Sequence, residues 1–115
     1  MQNYDKAYEL ARLIKDSDEY KQYCAAKEKA FEQEMNRDLY KQYRALSMTV
    51  NAAIMAGQEI DEESKQKFQQ LTGLLALSPD VNEFMLAEHR LNTMMGDIFK
   101  ILTDAIDLEL DFLQD

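Results

Sequence analysis

Nine positions in the last third of the chain, Phe84, Ala87, Leu91, Met94, Ile98, Ile101, Ala105, Leu108 and Phe112, follow one another at alternating spacings of three and four residues, and every one is apolar. That repeat keeps a single side of an α-helix facing a neighbour, so it marks a helix built to lie along other helices. A second row runs beside it: Met95, Phe99, Leu102, Ile106 and Leu113. The distal half of this helix is therefore apolar over an unusually wide arc.

Its start is marked by Ser78-Pro79. Serine caps a helix, and proline fits the first helical position, where its missing N–H costs nothing. The spacing predicts a helix from about 79 to about 113. At ~1.5 Å per residue that is roughly 50 Å, against a diameter near 35 Å for a compact globule of this length. Such a helix overhangs its own subunit. One neighbouring helix covers one stripe, and two stripes call for two neighbours. Exposed, the second would be costly and adhesive. A homodimer is expected, with Phe84, Leu91, Met94, Met95, Ile98, Phe99, Ile101, Leu102, Leu108 and Phe112 as assembly residues.

Four shorter helices precede it. The first spans about Asn3 to Asp16, with Tyr4, Ala7, Tyr8, Ala11 and Ile14 on one face. Ser17, followed by Asp18 and Glu19, caps a second that runs to about Met35. Asn36 is the expected cap of a third, from Arg37 to about Ala56, which Gly57 ends as a C′ residue. Asp61 begins a fourth, holding Phe68, Leu71, Leu74 and Leu75, with Gly73 inside it. One Pro, three Gly and no Trp leave little room for the turns of a β-sandwich. The predicted fold is all-α: a single domain over residues 1–115, in which short N-terminal helices pack on one long C-terminal helix.

The net charge of −9 is uneven. Residues 1–60 carry 9 Lys+Arg and 10 Asp+Glu, whereas residues 61–115 carry 4 and 12. So acidic a second half repels phosphate, and direct nucleic-acid binding is not expected there. Asp97, Asp104, Asp107 and Asp111 share one helical face, either a solvated surface or a docking strip for a basic partner. In the first half, Lys21, Lys27, Lys41 and Arg44 interleave with tyrosines in the manner of a weak RNA surface. Nearby Glu19, Glu28 and Asp38 count against that use.

Chemistry finds few footholds. Cys24 is the only cysteine and His89 the only histidine, which excludes an internal disulfide and an intrachain two-histidine zinc site. Cys24 is expected as a buried thiol. The inward Glu-x-x-His pairs of a di-iron bundle are absent, because Leu86 stands three before His89. Glu88 and His89 are adjacent and point to different sides. The three glycines are isolated, so no phosphate loop exists, and Ser47, Ser64 and Ser78 lack a nearby base. No catalytic residue, metal or cofactor is expected. The longest apolar runs fall far short of the ~20 residues of a membrane span, and the polar start lacks a signal core. The chain is expected in the cytoplasm, away from membranes.

Several stretches carry a family resemblance: Tyr4-Asp5-Lys6-Ala7-Tyr8-Glu9-Leu10-Ala11, Ser17-Asp18-Glu19-Tyr20-Lys21, Ala26-Lys27-Glu28-Lys29, Gly57-Gln58-Glu59-Ile60, Ala87-Glu88-His89-Arg90-Leu91-Asn92 and Ala105-Ile106-Asp107-Leu108-Glu109-Leu110. Together they resemble the YlbF/YmcA family of small helical bacterial proteins, in its YheA-like branch. The resemblance implies an all-helical, dimeric protein of a Gram-positive cytoplasm. Better-known relatives are accessory proteins in competence, sporulation and biofilm control, in a complex linked to RNase Y and mRNA processing. Their association with cysteine-held iron–sulfur clusters does not extend to a chain whose one cysteine is Cys24. The reading that follows is a non-enzymatic helical interaction protein, a dimeric regulator or adaptor with protein partners. The alternatives are an accessory factor in RNA processing, or an enzyme with a metal- or ligand-dependent site between subunits that uses Glu88 and His89.

Overall fold

A computed structural model describes residues 1–106. Five helices follow in order: α1 (Gln2–Lys15), α2 (Asp18–Ala30), α3 (Glu34–Met55), α4 (Glu62–Ala76) and α5 (Pro79–Ile106). No strand occurs among the described residues. The expected extension of α5 to about 113 lies outside them.

Local chemistry sets most boundaries. The Ser17 hydroxyl accepts from the Tyr20 N–H at 3.2 Å, and the Ser78 hydroxyl from the Val81 N–H at 3.3 Å, so both serines cap. At the end of α3, Gly57 adopts φ +71°, a left-handed conformation that costs a side-chain-bearing residue energy. That turn lets the Gln58 N–H reach the Ala53 carbonyl at 2.9 Å and the Gly57 N–H reach Ile54 at 3.1 Å, closing the helix with a Schellman motif.

One boundary differs from expectation. Helix α2 stops at Ala30 rather than near Met35, and Gln33, not Asn36, occupies the cap position of α3. The Asn36 amide is used elsewhere. It donates to the Ala30 carbonyl at 3.1 Å and reaches the Ser78 hydroxyl at 3.5 Å, tying the end of α2 to the start of α5. The early stop also lets Phe31 turn inward onto Phe84 and Tyr40, with ring centroids 5.0 and 5.5 Å apart.

Helices α2 and α5 pack antiparallel. Ala26 and Ala30 are buried there with Val81, Phe84 and Ala87, and small alanines let the two backbones approach. At the rim Lys29 pairs with Asp80 at 3.6 Å and Glu83 at 3.9 Å. Helices α3 and α4 form a hairpin, in which Tyr43 and Phe68 lie 5.5 Å apart. The two pairs meet at the N-terminal end of α5, where Tyr40 and Leu75 complete the core. Helix α1 touches little beyond α2 and buries none of its residues.

The result is a thin, open assembly of 50 × 37 × 17 Å. Its radius of gyration is 17.7 Å, against ~13 Å for a compact chain of this length. A layer that thin cannot cover both sides of its helices. The short helices do not wrap α5, and its distal half stands uncovered.

Candidate interaction surfaces

The expected seam residues divide along the helix. Phe84 is 1% exposed, because Tyr23, Phe31 and Tyr40 surround its ring, and so it serves the subunit's own core. Leu91, Met94 and Ile98 are half-buried. Beyond them the apolar surface opens: Met95 is 43% exposed, Phe99 59%, Ile101 68%, Leu102 56% and Ile106 67%. Leu108 and Phe112 lie outside the described residues. Helix α1 adds a second open apolar face, on which Tyr4 and Tyr8 are both exposed.

Asp97 and Asp104 lie on the exposed side of α5. Asp104 makes an i,i+4 pair with Lys100 at 3.8 Å. Asp107 and Asp111, the other members of the acidic face, lie outside the described residues.

Periodicity did not reveal the most organised polar group. The Tyr40 hydroxyl donates to the Glu88 carboxylate, 2.7 and 2.8 Å from its two oxygens. Arg44, one turn further along α3, donates to the same carboxylate at 2.8 Å and to the Tyr40 oxygen at 2.9 Å. Burial, followed by the bond to Glu88, pushes the Tyr40 hydroxyl up to about 12. Contact with the Tyr40 oxygen and then with Glu88 raises Arg44 further above its ordinary value. Tyr40 and Arg44 stand four apart on one face of α3, which is legible in sequence; their convergence on Glu88, 44 residues beyond Arg44, is not.

The triad forms one side of an open cleft of about 440 Å³ between α2, α3 and α5. Tyr23, Phe31, Tyr40 and Phe84 line it, and Lys27, Lys41 and Arg44 stand around them. Lys27 lies 5.8 Å from the centre of the Tyr23 ring. Three of the four basic residues singled out in the sequence thus converge on one aromatic cleft, and Lys21 does not. Arg44 is spent on Glu88. Among the described residues, neither Lys27 nor Lys41 has an ion-pair partner.

Two sequence expectations need correction or closer definition. Cys24 is exposed rather than buried: α2 turns Tyr23 and Ala26 toward the core and leaves Cys24 facing outward. His89 is exposed, while Glu88 is half-buried and held by Tyr40 and Arg44, so the adjacent pair does diverge. Among the described residues no cluster of three His, Cys, Asp or Glu is placed to hold a metal ion, and no helix is long and apolar enough to cross a membrane.

Comparison with known proteins matches this architecture. The family described as "Control of competence regulator ComK, YlbF/YmcA" matches residues 3–107. A UPF0342 protein of Symbiobacterium thermophilum is 33% identical over 109 residues, covering 95% of this chain and 97% of that protein. One of Clostridium tetani is 33% identical over 112 residues, covering 97% of each. A solved Bacillus stearothermophilus protein of unknown function (DUF964) superposes with a TM-score of 0.75 over 93% of this chain and 94% of its own, at 16% identity, a likeness of fold. Matched by the family over residues 3–107 and 33% identical to such relatives across nearly its whole length, this chain belongs to the YlbF/YmcA family.

Proposed function

We propose that this protein is a non-enzymatic dimeric regulator or adaptor, whose distal α5 pairs with a second copy and whose acidic side of α5 meets a basic protein partner. One observation carries the reading: the contiguous exposed row of Met95, Phe99, Leu102 and Ile106 on a helix its own subunit does not cover. Monomeric proteins rarely leave so many large apolar groups together in water. Leu91, Met94, Ile98 and Ile101 form the edge of the pairing surface.

The carboxylates of Asp97 and Asp104 fall on the side of α5 opposite that row. They remain available to lysine and arginine side chains after pairing. The family's description as a control of a competence regulator supports a role through protein contacts. Light scattering at micromolar concentration tests the pairing. A particle of about twice 13.4 kDa is expected, and one of 13.4 kDa overturns the reading. Affinity capture from the native cell with an Asp97→Asn/Asp104→Asn control tests the partner surface, and capture unchanged by those substitutions removes it.

A further inference from the structure

We infer that the tyrosine face of α1 docks on the open row of α5 in a second copy, so that each long helix of the pair is covered by its partner's α5 on one stripe and by its partner's α1 on the other. The inference rests on the pairing proposed above and adds the surface that completes it.

The face of α1 has the shape that helix packing needs. Tyr4, Ala7, Tyr8 and Ala11 stand at i, i+3, i+4 and i+7, the four corners of a hole that receives a knob from a neighbouring helix. They line an open hollow of about 410 Å³, with two rings as walls and two alanines as floor. Tyr4 is 63% and Tyr8 69% exposed, so the subunit does not use this face for its own packing. Helix α1 is alone among the five helices in burying none of its residues. On α5, Met95, Ile98, Phe99 and Leu102 repeat the same spacing, and Phe99 and Leu102 stand out as uncovered knobs.

Position and length agree. Helix α2 runs back along α5, with Gln22 and Arg90 beside one groove and Ala26 packed near Ala87. Continued at equal rise, the α1–α2 turn at Asp16-Ser17 stands beside about residue 95 of α5, where the cover of that helix ends. A partner's α5 laid along the open row therefore arrives next to the base of α1. The 14 residues of α1 span roughly 20 Å, and the uncovered stretch from Met95 to Ile106 spans roughly 18 Å.

Area selects a second copy as the occupant. A stable interface removes ~800 Å² from each partner. The exposed parts of Met95, Phe99, Ile101, Leu102 and Ile106 supply roughly 400–600 Å² of that. Tyr4 and Tyr8 add about 300 Å² and make up the difference. Ring burial leaves each phenol oxygen free to stay at the wet rim, which suits tyrosine to such a surface.

Photocrosslinking on the full-length protein tests this. With Tyr8→p-benzoylphenylalanine, illumination should give a covalent dimer on a denaturing gel, and peptide mass spectrometry should map the adduct to residues 95–106 of the other chain. An adduct within one chain means that α1 folds onto its own subunit and overturns the inference, as does a covalent dimer joined outside 95–106. A particle of dimer mass that gives no covalent dimer overturns this inference and leaves the pairing intact, whereas a particle of monomer mass overturns both. Tyr4→Ala with Tyr8→Ala gives an independent readout. Both rings are mostly exposed within the subunit and alanine favours the helix, so circular dichroism should not change. The dissociation constant of the pair should rise by roughly a hundredfold. A rise of less than about tenfold overturns the docking of α1.

Discussion

Truncating the open row of α5 should dissolve the pair while leaving the subunit folded. Phe99→Ala with Leu102→Ala removes two side chains that are 59% and 56% exposed within the subunit, so little of the monomer's own packing is lost. Alanine also preserves helix propensity. Full burial of a large apolar side chain is worth ~1.5–3 kcal/mol. With somewhat more than half of each still to bury, each supplies about 1–1.5 kcal/mol on pairing. Two such side chains in each of two copies give about 4–6 kcal/mol, which raises the dissociation constant by roughly three to four orders of magnitude. Sedimentation equilibrium over a dilution series measures the constant, and circular dichroism confirms that helix content is retained. A double variant that keeps its helices and shifts the constant by less than tenfold would refute the reasoning.

Three further outcomes follow from the packing. Phe84→Ala should cost ~3–5 kcal/mol of stability, because it empties the centre of the aromatic cluster formed by Tyr23, Phe31 and Tyr40; a loss below ~1.5 kcal/mol in urea titration would mean that the core lies elsewhere. Ser78→Ala should cost ~1 kcal/mol, as it removes the cap on Val81 and the contact with Asn36, and an unchanged denaturation midpoint would contradict the cap. The Tyr40 hydroxyl, raised from 10.0 to about 12, favours the fold in its neutral form. Its contribution is therefore complete below pH 10 and fades as the pH climbs through about 12. Phenolate absorbance should show one of the six tyrosines ionising last, and Tyr40→Phe should remove that step; a titration unaffected by the substitution would count against the contact of Tyr40 with Glu88 and Arg44.

Short-range physics made much of this molecule legible from sequence. Ser17, Gly57 and Ser78 mark helix ends because a cap or a left-handed residue acts on atoms at most a few positions away. The three-four spacing marked α5 for the same reason, since it records which side chains share a face. That spacing does not say what covers each part of the face. Phe84 and Ile101 belong to one repeat, yet the first is fully buried and the second is 68% exposed, because the partners of α5 gather at its N-terminal end.

Sequence by itself determined the helical class, most of the boundaries, the wide apolar arc of α5 and the lopsided charge. Tertiary structure alone decided the early stop of α2, where Asn36 holds the Ala30 carbonyl and reaches Ser78, 42 residues further on. It also decided the outward turn of Cys24 and the meeting of Tyr40, Arg44 and Glu88 at an aromatic cleft. The reason is that capping and periodicity are properties of a single helix. A cleft depends on how three helices cross, and the angles and distances of that crossing are set by the sizes of the side chains that meet there, such as Ala26, Ala30 and Phe84.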